Sequence, residues 1–185
     1  MSELKPKLSL AKDLLESSKS MTVDQARFLV DTYYQIQDAQ IRAAAQVRSL
    51  VSSEEPHSLL DWVGDVNFEL ENKIKRTLEI YAKHNPVGQW SLSITGIGPV
   101  IAAGLLAHID ITKAPTVGHI WRYAGQDPTC TWEKGQKRPW NASLKTLCWK
   151  IGESFVKVSG NKRDIYGQYY LQRKEQEIIK NENLE

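Results

Sequence analysis

The sequence predicts an all-α protein: a long antiparallel helical hairpin, read as a coiled coil, followed by a compact helix-hairpin-helix domain. Three observations lead there. Apolar residues recur at helical spacing over two stretches, Thr22 to about Ser53 and Ser58 to about His84, with only a four-residue break between them. Downstream, a glycine-rich bend from Thr95 to Pro99 separates two short apolar stretches. No segment alternates convincingly with the two-residue period of a sheet.

Each element has a local reason. Residues 1–21 read as a short polar helix or arm, with Leu8, Leu10, Leu14 and Leu15 as a docking face. Thr22 followed by Gln25 is a capping box that starts the first long helix, and Glu54, Glu55 and Pro56 stop it. Val30, Tyr34, Ile41, Ala44 and Val51 follow a heptad rhythm interrupted by Gln37 and Arg48. At 1.5 Å per residue this helix is roughly 45 Å long. Ser58 caps the second, whose stripe is Leu59, Trp62, Val66, Leu70, Ile74, Leu78 and Tyr81. Ala44, Val47 and Val51 underfill a lone hairpin, so residues 22–84 are expected to join two copies as a homodimer; the plainer alternative is half of a helical bundle.

Asn85 to Gly88 read as a linker closing the hairpin segment 22–85, and residues 89–159 as the compact part. Leu92 and Ile94 lead into the bend, and Ile101, Leu105 and Ile109 form the helix behind it. Asp110 to Pro115 is a loop, Thr116 caps a short helix through Ala124, and Gly125 ends it. Residues 126–142 are a loop in which Thr131 and Trp132 allow at most a short strand. Ser143 caps a helix with Leu144, Leu147, Cys148, Ile151 and Phe155 facing inward, closed by Gly160. Residues 160–185 carry a last helix, about Arg163 to Ile179, polar except for Ile165, Tyr169, Tyr170 and Leu171.

Function is sought first at the bend. Gly96 and Gly98 permit positive φ and close approach of backbone to another molecule. Pro99 suits a first helical position, and the unpaired N–H groups behind it form an anion site at the positive end of the helix dipole. Thr95, Gly96, Ile97, Gly98 and Val100 are therefore candidate contacts to a sugar-phosphate backbone, which positions a nucleic acid without reading bases. The plain alternative is a tight turn with no ligand, since apolar Val100 and Ile101 stand where a cation often follows Gly-Pro.

Charge distribution adds to the bend. The 185-residue chain has a formal net charge of only +2, but Lys134 to Arg163 hold eight basic residues against the single acid Glu153. Met1 to Leu70 hold eleven acidic residues against seven basic. Such asymmetry points to a localised polyanion site. Lys134, Lys137, Arg138, Lys145 and Lys150, interleaved with Trp132, Trp140 and Trp149, are candidates for phosphate contact and stacking, with Arg122 beside them. Against this, the tryptophans can simply pin the loop, and Arg122 can pair with Asp110. His108, Asp110 and His119 each have a duller explanation than metal binding, and Asp127 before Pro128 reads as a turn former, so no metal and no cofactor is expected. Cys130 and Cys148 show neither metal spacing nor a secretory framework. With no signal peptide and no run of 18 apolar residues, a soluble, cytoplasmic protein without a membrane partner is expected.

Two segments together carry a family resemblance. Ile94-Thr-Gly-Ile-Gly-Pro-Val-Ile-Ala-Ala-Gly-Leu-Leu-Ala-His-Ile109, then His119-Ile-Trp-Arg-Tyr-Ala-Gly125-Gln-Asp-Pro128, resembles the C-terminal domain of insertion-sequence transposases of the 110/116/902 type. That domain carries Pro-Gly-Ile-Gly-Pro-x-x-Ala, then an apolar-Ala-Gly-Leu-x-Pro segment. Thr95 replaces the first Pro here and Gln126 the Leu, and the likeness covers about residues 90–158. The family places an RNase-H-like domain and a coiled coil ahead of this domain. Residues 22–84 sit where the coiled coil belongs, and nothing before Thr22 has room for the RNase-H-like domain. The family's nucleophilic Ser, in a Ser-Gly pair, falls at Glu133-Lys134-Gly135, where no Ser stands. The resemblance thus implies a bacterial, archaeal or phage protein of mobile DNA that binds DNA (or RNA) with no catalytic residues of its own. Two other readings remain: a strand transferase working with a separate nuclease, and a purely structural helical module.

Overall fold

A computed structural model describes residues 12–52 and 58–183. The fold is all-α, with no strand among the described residues. The helices are α1 (Lys12–Ser17), α2 (Val23–Ser52), α3 (Ser58–Lys83), α4 (Pro86–Ser93), α5 (Pro99–His108), α6 (Val117–Tyr123), α7 (Ala142–Val158) and α8 (Gly167–Glu182), with single 3₁₀ turns at Ser18–Ser20 and Ile111–Lys113. Thr131 and Trp132 form no strand. Leu8, Leu10 and Pro56 lie outside the described residues.

The capping box forms as the residues demand: the Thr22 N–H donates to Gln25 Oε1 at 2.9 Å, and the Gln25 N–H to Thr22 Oγ1 at 3.2 Å. From there α2 packs along α3. Val30 and Tyr33 share a core with Ile74 and Leu78, near the C-terminal end of α3, while the other ends of the two helices are joined in sequence. The pair is therefore antiparallel. Its contact face is rotated from the heptad reading, however. Ala26, Val30, Tyr33 and Ala43 are buried, whereas Ile41 is 59% exposed and Ala44 is exposed. On α3, Ile74 and Leu78 are buried, but Leu59, Trp62 and Leu70 are not.

The reason is a third helix. Val100 and Ala103 of α5 enter the same core, so burial follows a three-helix contact rather than a two-stranded seam. Small residues make that possible: Ala102, Ala103, Gly104 and Ala107 are all buried. A Cβ on Gly104 would lie 2.8 Å from Leu147 of α7, so α5 threads closely between α2, α3 and α7. Among the described residues Leu78 of α3 and Leu144 of α7 are the largest fully buried side chains; truncating either to Ala costs about 2–5 kcal/mol.

Four local expectations are corrected. Residues 85–88 are not a linker. Asn85 Oδ1 accepts the Val87 N–H at 2.9 Å as the cap of α4, and Gly88 sits so tightly that a Cβ would lie 2.1 Å from the Ala82 carbonyl oxygen. Ser143 does not cap α7; Asn141 does, accepting the Leu144 N–H at 2.8 Å, because it holds the extended residue ahead of the first turn. Third, α8 begins at Gly167 rather than near Arg163. The Asn161 and Asp164 side chains accept the Arg163 and Gly167 N–H groups at 2.9 and 2.8 Å, spending the intervening residues on turns. Gly160 has no positive φ, and the cap after Val158 is Ser159. No helix among the described residues is long and apolar enough to cross a membrane.

Candidate functional site

The bend between α4 and α5 is a tight, internally bonded turn. The Ile94 N–H donates to Ser91 O at 3.1 Å and the Ile97 N–H to Ile94 O at 3.0 Å. Gly96 takes φ +98°, and a Cβ there would also lie 2.8 Å from Phe155. Only glycine meets both demands. Gly98 differs from the expectation: its φ is −91° and its ψ 174°, ordinary extended backbone, with open space where a Cβ would go. Pro99 occupies the first helical turn, and the Ala102 N–H to Gly98 O bond of 2.9 Å is the first of α5. The helix thus supplies no acceptor for the Val100 and Ile101 N–H groups.

Tertiary packing fixes where this turn looks. Ser154 of α7 donates its hydroxyl proton to the Gly96 carbonyl at 2.6 Å, tying the bend to α7. Ile97 and Val100 are both buried, Val100 to 6% exposure, so neither offers a side chain to a ligand. The bend borders an open groove of about 470 Å³ whose other walls are Tyr33 and Tyr34 of α2, Lys75 of α3, and Lys150 and Glu153 of α7.

The groove carries mixed charge. Lys150 Nζ lies 4.1 Å from the centre of the Tyr34 ring, and the two tyrosine rings meet edge to face at 5.4 Å. Burial pushes the Tyr34 phenol up to about 12, and burial together with Glu71 raises Tyr33 further, so both are neutral hydroxyls. Glu153 stays ionised: the hydrogen bond from Lys157, at 2.8 Å, and the charges of Lys157 and Lys150 hold its carboxyl below the usual range. Lys75 and Lys150 line the groove beside the Glu153 carboxylate, and a second carboxylate, Glu71, is bonded to Tyr33.

The other predicted cations lie apart. Arg138 stacks 5.4 Å over Trp132, Lys145 lies 4.3 Å over Trp140, and the two indoles meet edge-on at 6.2 Å. Trp132 Nε1–H donates to Gln136 O at 2.8 Å, which folds the loop back on itself. Gly125, at φ +68°, leaves the space that Trp140 and Lys145 fill. Lys134 and Lys137 are exposed on this loop, and Trp149 is 64% exposed on α7. Lys145 and Lys150, five residues apart, project about 140° from each other around the helix. The loop cluster and the groove thus sit on opposite flanks of α7, and of the predicted basic residues only Lys150 borders the bend.

Of the remaining candidates, Arg122 is exposed, and Asp110 pairs with Lys113 at 3.1 Å instead of with it. Asp127 forms the expected turn, its Oδ1 accepting the Thr129 N–H at 2.9 Å. No group of three or more metal-ligating side chains is found among the described residues. Both cysteines are free thiols, and burial pushes the Cys148 thiol up. Sequence reasoning missed Tyr33, Lys75 and Glu153, since only the register of α2, α3 and α7 against α5 brings them to one groove. The chain matches no protein-family model, no curated protein and no solved structure.

Proposed function

We propose that this protein binds the sugar-phosphate backbone of a nucleic acid, DNA before RNA, with little dependence on base sequence. On this reading it is a relative of the rear part of an insertion-sequence transposase and acts by binding rather than by chemistry. One observation carries the proposal: the start of α5, with its unpaired N–H groups, opens on a groove flanked by Lys75 and Lys150. Amides and ammonium groups together suit a phosphate, while the indole–cation pairs of the 126–141 loop offer a second contact to the same polyanion.

Titration of a short labelled duplex tests it. Two neutralised phosphates give a log–log salt slope near −1.8, so raising salt from about 50 to 200 mM weakens binding roughly tenfold. Salt-independent affinity, or tighter binding to RNA than to duplex DNA, overturns the respective part of the proposal.

Self-association through residues 22–84 belongs to the same reading. Ile41, Leu59, Trp62 and Phe68 are each more than half exposed, and no residue described between 44 and 73 is buried. Leu59, Trp62 and Leu70 fall on one side of α3, and an apolar side left open favours a second copy as its cover. Sedimentation of the full chain is expected to give a dimer that Trp62→Glu converts to monomer; a monomeric parent protein removes this element.

A further inference from the structure

At the opposite end of α5 from the bend lies a cavity of about 370 Å³, lined among others by Arg27 of α2, His108, Asp110, His119, Ile120 and Tyr123. Its hydrogen-bonding capacity is one-sided. Arg27 gives Nε–H to Ala107 O at 2.7 Å and one Nη1–H to Asp24 at 3.1 Å, which leaves three of its five donors over. His119 Nδ1 is 2.8 Å from the Thr116 hydroxyl; with that hydroxyl donating, Nε2 carries the ring proton. The Tyr123 oxygen accepts from Asn141 Nδ2 at 2.9 Å, so its own proton is still to be given.

His108 borders this cavity and also the one beside Asp31 and Asp38. The residue is 7% exposed, and its Nδ1 is sealed from solvent with no partner. A proton on Nδ1 would strand a buried donor, so the neutral ring carries it on Nε2. The single carboxylate in the lining, Asp110, is already engaged: it accepts from the Thr112 N–H at 3.1 Å, from the Thr112 hydroxyl at 2.6 Å and from Lys113. Side-chain donors therefore outnumber available side-chain acceptors, beside apolar wall from Ile109, Ala114 and Ile120.

We propose that this cavity binds a small organic anion, a carboxylate head on a compact apolar body, with Arg27 gripping the head and His119 and Tyr123 completing its hydrogen bonds. The size is that of a small-molecule site, and mostly apolar walls with a few convergent polar groups are what such sites use. A planar carboxylate matches the guanidinium fork. The ten residues of α5 put this cavity roughly 15 Å from the bend, so it stands independently of the nucleic-acid reading.

Benzoate is the probe, with benzyl alcohol as its uncharged match, both followed through the histidine ring resonances of the full chain at constant ionic strength. A ligand of this size is expected to bind with a Kd of about 10 mM or tighter. Saturable shifts at His108 and His119, none at His84, and at least a tenfold weaker response to benzyl alcohol are expected. Arg27→Gln abolishes the response. Because Arg27 also braces the end of α5, Ala114→Phe is the second variant: it fills the cavity, keeps every donor and removes binding. Absence of saturable shifts in the parent protein, equal response to benzyl alcohol, or undiminished binding in a folded Ala114→Phe protein overturns the proposal.

Discussion

The groove beside the bend and the tryptophan loop both bring cations onto aromatic rings, yet they are built in opposite ways. In the loop, partners are close in sequence: Trp132 bonds Gln136, Arg138 covers Trp132, and Lys145 covers Trp140. In the groove, the Lys150–Tyr34 pair joins α7 to α2, Lys75 comes from α3, and the bend is fastened by Ser154, 58 residues from Gly96. A locally held cluster survives small shifts of the helices around it. A groove whose walls come from four helices exists only while all of them hold register.

The sharpest way to break the groove and spare the loop is Gly96→Val. It sets a branched side chain at φ +98° and against Phe155, a combination expected to cost about 3 kcal/mol or more in chemical denaturation. Gly98→Ala, in open space at an ordinary φ, is expected to stay within about 0.5 kcal/mol of the parent. Equal costs would mean that the bend is not held as described.

Charge reversal separates the two regions in binding. Lys75→Glu with Lys150→Glu is expected to weaken duplex binding at least tenfold and to flatten the salt slope by about 2 units. Lys134→Glu with Lys137→Glu, on the loop, is expected to do less, about threefold, because neither lysine stands beside free helix amides. The reverse order would make the loop the principal contact.

The smallest effect concerns α5 itself, which supplies one wall of the groove. Burial and the Arg27 charge hold the His108 imidazole below its usual 6.5, opposed by Asp31. The unfolded chain therefore binds the proton first, so this contribution to stability is complete above pH 6.5 and is lost as pH falls through the lower folded value. Denaturation midpoints are expected to drop on acidification below pH 6.5, and less steeply in His108→Gln. An unchanged pH profile in that variant assigns the acid sensitivity elsewhere.

How much of this was legible in the sequence depends on the range of the interaction. The Thr22–Gln25 capping box, Pro99 at the start of α5, the Asp127 turn and the left-handed Gly125 are set by neighbours within a few residues, and each forms as its residue type dictates. Asn141 displaced Ser143 as the cap of α7, and Asn85 turned an apparent linker into a helix start, because adjacent polar residues compete for the same role and pattern alone does not rank them. The heptad on α2 misplaced Ile41 and Ala44, since a seam read from one helix assumes a single partner. Lys75 carried no signal at all: a lysine on an exposed helix face looks alike wherever the helix ends up.

By itself, then, the chain determined its helical class, its two long helices, the bend and the helix ends at Thr22 and Gly125, because hydrogen bonds and periodicity act over one or two turns. Tertiary structure decided which faces are buried, why only Gly96 of the two glycines is indispensable, and that Lys150 serves the bend while Lys145 serves the loop. Those outcomes turn on how α2, α3 and α7 pack around the small residues of α5, a contact among segments up to about a hundred residues apart, set by burial and shape rather than by any local rule.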